Sequence, residues 1–112
     1  MNRQQNQLPQ VAFSILLALS LKPRHGYEII KQVEEDSRGK VRLGPGALYT
    51  SIKQLHQQEL IAENTDHTDT RRRYYKLTNK GLRALNEDVE YYENVLELAR
   101  QRRVIMSEVT YG

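Results

Sequence analysis

The stretch Leu43-Gly44-Pro45-Gly46-Ala47-Leu48-Tyr49-Thr50-Ser51-Ile52-Lys53-Gln54-Leu55 decides the fold. Pro45 suits the first turn of a helix, where a missing N–H removes no hydrogen bond. Leu48, Ile52 and Leu55 then recur at spacings of four and three, a narrow apolar stripe. The remaining face shows Ala47, Tyr49, Thr50, Lys53, Gln54 and Gln57 and is polar and lightly charged. The spacing predicts an amphipathic helix, packed along one side, with a hydrogen-bonding side left free. Downstream, Leu60 to Asn64 and Arg73 to Leu77 read as two short strands of a hairpin. Its tip runs from Thr65 through Arg71 and Arg72, and alternation sends Tyr74 and Tyr75 to opposite faces.

Upstream, a second helix is predicted from Gly26 to Asp36, with Tyr27, Ile30 and Val33 on one face. The first helix begins near Pro9 and is stopped by Lys22-Pro23, since the residue before proline is pushed out of the helical region. Leu8, Val11, Ala12, Ile15, Leu16 and Leu19 recur at helical spacing, and Phe13, Leu17, Ala18 and Leu21 make almost the whole circumference apolar. Such a helix is buried on more than one side. Val11 to Leu21 also has the look of a signal-peptide core. Broken by Ser14 and Ser20, it falls short of the ~20 apolar residues of a membrane span, and a buried helix is the preferred reading. Val41 to Leu43 is too short for more than an edge bridge.

Thr78 is a predicted N-cap for a last helix reaching Arg103. Leu82, Leu85, Val89, Tyr92, Leu96 and Ala99 follow at alternating intervals of three and four, the seam of a coiled coil. Three helices followed by a basic-tipped hairpin is the winged helix-turn-helix order. The fold class is mainly α (α+β): a winged helix-turn-helix at residues 8–78 with a two-stranded wing, a C-terminal dimerisation helix at 79–103, and a flexible tail at 104–112. The alternative for the seam is that it folds back on its own domain.

Composition narrows the function. The 112 residues contain no Cys and 28% charged residues, with a net charge of +3. Without Cys there are no disulfides, no thiol nucleophile and no zinc-finger ligand set. A mean hydropathy of −0.73 excludes a polytopic membrane protein, and a cytoplasmic location is expected. Charge is uneven: residues 1–80 carry net +5 and residues 81–112 net −2, so the basic character belongs to the first part. Arg71, Arg72 and Arg73 form the densest charge run, placed by the hairpin where it can lie against a nucleic-acid backbone or minor groove. No Ser/His/Asp set, metal cluster, paired-carboxylate motif or phosphate loop is visible. His56 and His67 have no metal-ligand spacing, and His25 reads as a helix-start residue. No enzyme activity, metal or cofactor is expected.

Three motifs carry a family resemblance. His25-Gly26-Tyr27-Glu28-Ile29-Ile30 resembles the HGYE-type second helix of the PadR family of transcriptional regulators. Leu43 to Ile52 is similar to that family's PGTLY-type recognition helix. Arg72-Arg73-Tyr74-Tyr75-Lys76-Leu77-Thr78, with Gly81 following, resembles its passage from wing to last helix. The resemblance spans about residues 10–103 and is nearest the compact subgroup with a single C-terminal helix. Departures are Glu59, where the family often has a left-handed Gly, a wing tip without the usual glycines, and no Trp to stack flat ligands.

The resemblance implies a sequence-specific, double-stranded DNA-binding homodimeric repressor acting on an inverted-repeat operator. Ala47 and Thr50 would touch bases, Tyr49 and Lys53 the backbone, and Pro45 and Gly46 would allow close approach. Tyr27 would reach a phosphate beside the recognition helix, and Arg71, Arg72 and Arg73 would serve as the wing contact. It further implies a small hydrophobic or phenolic effector near the dimer interface, with Phe13, Leu17, Tyr91 and Tyr92 as candidate lining. The competing reading is a winged-helix protein-interaction module without specific DNA binding, which would have no need of both an intact third helix and a basic wing.

Overall fold

The computed structural model describes residues 7–65 and 71–104. In chain order these form α1 (Gln10–Leu19), β1 (Arg24–His25), α2 (Gly26–Asp36), α3 (Pro45–Gln57), β2 (Ile61–Asn64), β3 (Tyr74–Leu77) and α4 (Asn79–Gln101). The tip residues 66–70 and the tail from 105 onward, part of the expected flexible segment, lie outside the described residues.

The core follows the apolar stripes. Ile15, Leu16, Ala18 and Leu19 of α1 meet Ile29 and Val33 of α2 and Leu48, Ile52 and Leu55 of α3, all buried. Leu60, Ile61, Tyr75 and Leu85 close the same cluster from the sheet and α4. Each of the buried Leu, Ile and Val side chains contributes about 1.5–3 kcal/mol. Leu17 stays 37% exposed on the far side of α1.

The wing holds one strand more than the sequence predicts. β2 and β3 pair antiparallel, Ile61 opposite Leu77 and Asn64 opposite Tyr74, and β1 joins the free edge of β3 in the order β1-β3-β2. Arg24 stands opposite Tyr75 and His25 opposite Tyr74. Arg24 can lie buried because its Nε donates to the Ala18 carbonyl at 3.0 Å, satisfying an acceptor left open at the end of α1. Val41 to Leu43 forms no strand. α1 stops at Leu19, short of Lys22-Pro23, with the Ser20 hydroxyl donating to the Leu17 carbonyl at 2.6 Å.

α3 ends in a Schellman motif. The Leu60 N–H donates to the Leu55 carbonyl and the Glu59 N–H to the His56 carbonyl, both at 3.0 Å, and Glu59 sits at φ +64°. Thr78 caps α4 by accepting the Gly81 N–H at 2.9 Å, and its hydroxyl donates to the Glu59 carbonyl at 2.7 Å. Gly81 lies so close to the Leu60 carbonyl that a side chain there would collide with it.

The buried residues of α4 are Gly81, Leu85 and Asp88, with Ala84 half-buried against the core and Tyr92 edge on to Phe13. Asp88 is 3% exposed and accepts the Leu8 N–H at 3.1 Å, whereas Glu87, Glu90, Glu93 and Glu97 around it are all exposed. Burial raises its carboxyl above the ordinary value, the Leu8 N–H pulling the other way. At 1.5 Å per residue the helix is ~34 Å long, and residues 90–98 are exposed. Among the described residues no helix is long and apolar enough to cross a membrane.

Candidate nucleic-acid interface

The buried stripe of α3 leaves Pro45, Gly46, Ala47, Tyr49, Thr50 and Lys53 all exposed on its other side. Gly44 and Gly46 face open space, with nothing within 4 Å of an added Cβ. Neither has a positive φ, so nothing inside the described chain requires a glycine at either position. Gly46 therefore keeps the start of α3 bare on its outer side, where its N–H groups and helix dipole favour negative charge.

Gly26, at the first position of α2, is constrained from within. A Cβ there would collide with the Tyr49 hydroxyl and reach within 3.1 Å of the Leu48 side chain. The close approach brings Tyr49 of α3 against the start of α2, beside Tyr27. Tyr27 is 65% exposed, with the Lys31 ammonium 5.5 Å from its ring centroid.

The wing closes the third side. His25, Gly26, Tyr27, Tyr49, Arg71, Arg72, Arg73 and Tyr75 line one open cleft of about 420 Å³. Arg73 lies 3.6 Å from Glu63 across the hairpin, with Tyr75 in the same cleft. Burial, with Tyr49 nearby, raises the Tyr75 phenol above its usual value, against the opposing pull of Arg73. Arg72 Nη1 stands 3.0 Å from His25 Nε2. Three arginines, exposed tyrosine hydroxyls and a helix N-terminus around one concavity make a seat for an anion chain such as a phosphodiester backbone.

The sequence-predicted residues thus fall on one face: Tyr27, Pro45, Gly46, Ala47, Tyr49, Thr50 and Lys53, with the arginine run beside them. Sequence reasoning did not place His25 in this cleft. Its placement depends on the β1–β3 pairing, and the sequence signal for it was only the His25-to-Glu28 capping spacing.

The other predicted set divides. Leu85 is 5% exposed and belongs to its own domain's core, so it is unavailable to a partner. Val89 and Ala99 are half-buried, and Leu82, Tyr92 and Leu96 are exposed, as are Tyr91, Val95 and Leu98 beside them. Of the candidate effector lining, the Phe13 and Tyr92 rings meet edge to face at 5.2 Å and the Tyr91 and Tyr92 rings at 5.5 Å. Leu17 lies one turn from Phe13 on α1.

Residues 15–87 match the family described as the transcriptional regulator PadR-like family. The transcriptional regulator YqjI of Escherichia coli K12 is 32% identical over 90 residues, which cover 80% of this chain and 42% of YqjI. The chain therefore spans about two-fifths of the length of that relative. An uncharacterized protein of Lysinibacillus sphaericus is 33% identical over 88 residues, 76% of this chain and 81% of that one. A PadR family transcription regulator from Clostridium difficile superposes with a TM-score of 0.71 at 28% identity, covering 83% of this chain and 97% of the other.

Proposed function

The chain belongs to the PadR-like family of transcriptional regulators, and from that premise we propose that it is a homodimeric repressor that binds an inverted-repeat operator in double-stranded DNA. It is a transcriptional regulator and not an enzyme. The observation that carries the DNA-binding reading is the cleft where the start of α2, the exposed face of α3 and the basic wing converge. A helix of this kind fits the major groove, its first residues nearest the base edges. Ala47 and Thr50 read bases, Gly46 permits the approach, and Tyr27, Tyr49 and Lys53 hold phosphates. The wing arginines lie along the adjacent backbone or minor groove.

The dimer reading rests on the outer half of α4, where Tyr91, Tyr92, Val95, Leu96 and Leu98 stand exposed together. Contiguous apolar surface of this sort marks an association site. Two copies joined there would present two α3 helices about one DNA turn apart, ~34–36 Å. Phe13, Leu17, Tyr91 and Tyr92, at the edge of the same surface, are where a small hydrophobic effector would act.

The test is a mobility-shift titration on the DNA upstream of the protein's own gene, across a salt series. The wild type is compared with Arg71/Arg72/Arg73→Ala and with Thr50→Ala. Tight, sequence-selective binding is expected, with a salt slope flattened by ~0.9 per lost phosphate contact in the triple variant and relaxed base preference in Thr50→Ala. Weak binding indifferent to sequence would remove the repressor reading.

A further inference from the structure

We infer that His25 is the positioning residue of the wing: it docks the Arg72 guanidinium against the start of α2, aiming this arginine across the DNA-binding cleft. The inference rests on the DNA-binding reading above and adds to it a named residue and the ring nitrogen that does the docking.

The His25 ring is held from three sides. Its residue is 7% exposed, and its backbone pairs with Tyr74 in the sheet. The Tyr74 ring meets it edge on at 5.2 Å and 84°. Nδ1 faces the Glu28 N–H at 3.4 Å, while the Glu28 carboxylate accepts the His25 N–H at 3.2 Å, a capping box at the start of α2. Nε2 faces Arg72 Nη1 at 3.0 Å and lies 3.6 Å from the Glu28 carboxylate. His25 thus joins the start of α2 to Arg72 of the wing.

The chemistry assigns the roles. A guanidinium only donates, so a hydrogen bond to Arg72 makes Nε2 the acceptor. A neutral imidazole has one acceptor nitrogen, so the proton then sits on Nδ1, and the 3.4 Å approach to the Glu28 nitrogen sets donor against donor and caps nothing. The ring is therefore a better dock for Arg72 than a cap for α2. A long, rotamer-rich arginine loses freedom when it binds a phosphate, and a dock that limits this freedom beforehand raises affinity. Of the run, Arg73 is drawn toward Glu63 and Tyr75, whereas Arg72 is drawn toward the mouth of α2.

Two amide substitutions separate the two nitrogens. Asn places its Oδ1 where Nδ1 stands and is among the best N-caps, but it cannot reach Arg72. Gln places its Oε1 where Nε2 stands and can accept from Arg72, but it caps poorly. The experiment measures binding of His25→Asn, His25→Gln, Arg72→Ala and His25→Asn/Arg72→Ala to a fluorescein-labelled mixed-sequence duplex, with thermal unfolding of each. His25→Asn should unfold at the wild-type temperature or above it and bind about fivefold more weakly, on the scale of one ordered side chain. It should cost nothing further on top of Arg72→Ala. His25→Gln, which loses the ring packed edge on against Tyr74 and gains no cap, should unfold earlier yet bind within about twofold of wild type.

Wild-type affinity in His25→Asn, or losses that add fully in the double variant, would overturn the role of His25 and leave the DNA-binding reading intact. A wild type that does not bind the duplex at all, even at low salt, would bring down both.

Discussion

Glu59→Gly should stabilise the protein by about 0.5–1 kcal/mol. Glu59 closes α3 at φ +64°, a left-handed conformation enforced by the two Schellman hydrogen bonds and by the Thr78 hydroxyl on its carbonyl. A residue with a Cβ pays about 1–2 kcal/mol in that region. Glycine avoids the cost but gives back about 0.5–1 kcal/mol through the greater freedom of its unfolded chain. The exposed Glu59 side chain has little to lose, and the three backbone-directed hydrogen bonds survive the exchange. In a domain of this size the difference corresponds to a rise of about 2–4 °C in the unfolding midpoint. Thermal unfolding followed by circular dichroism reads it directly, at one fixed protein concentration because association would shift the midpoint. Glu59→Gln keeps the backbone strain while removing the charge and should leave the midpoint unchanged. A midpoint for Glu59→Gly at or below wild type, or an equal gain in Glu59→Gln, would refute the backbone argument.

Gly46→Ala should fold at least as well as wild type, since its Cβ enters open space; on a DNA titration it should bind more weakly by about fivefold or more, the scale of one lost base contact. Gly81→Ala should lose about 3 kcal/mol or more in urea unfolding, because its Cβ meets the Leu60 backbone, which cannot swing aside. Asp88→Asn should be the more stable form at neutral pH. With the folded carboxyl raised above the ordinary 3.8, the wild type is penalised as pH rises through that raised value and regains the difference as pH falls below 3.8, which unfolding across a pH series would show. Leu85→Ala should cost about 2–5 kcal/mol of unfolding free energy, while Leu96→Ala should leave the fold alone and weaken self-association measured by sedimentation.

What was legible in the sequence was local. Pro45 opening α3, Thr78 capping α4 and the stripe of Leu48, Ile52 and Leu55 each declare themselves within a turn or two, and each stands where the spacing put it. Glu59 was legible by contrast, as a residue with a Cβ where a left-handed glycine was expected. What escaped was non-local. Arg24 follows a helix-breaking proline, and His25 reads as the start of a helix. Only the open edge of β3, roughly fifty residues on in the chain, makes them a strand. Asp88 sits among four glutamates that do face outward, and nothing in its neighbours marks it as the partner of the Leu8 N–H. A buried charge is assigned by what lies opposite it in space.

The seam of α4 shows how a correct pattern can serve two surfaces. At ~100° per residue, Leu85, Tyr92, Leu96 and Ala99 fall within ~40° of one line along the helix, so the spacing did identify a single apolar stripe. The alternatives drawn from it were a partner helix or the domain's own core, and the structure divides the stripe by length. Its first three turns lie over the domain, where Leu85 is buried and Asp88 is held. Tyr92 marks the border, edge on to Phe13 and still 38% exposed. Beyond it Val95, Leu96 and Leu98 are 40–47% exposed, an apolar surface on the part of the helix that extends past its own domain. A heptad-like spacing reports that a stripe is to be covered. Where the cover by the chain itself ends is set by the depth of the domain beneath, which no periodicity records.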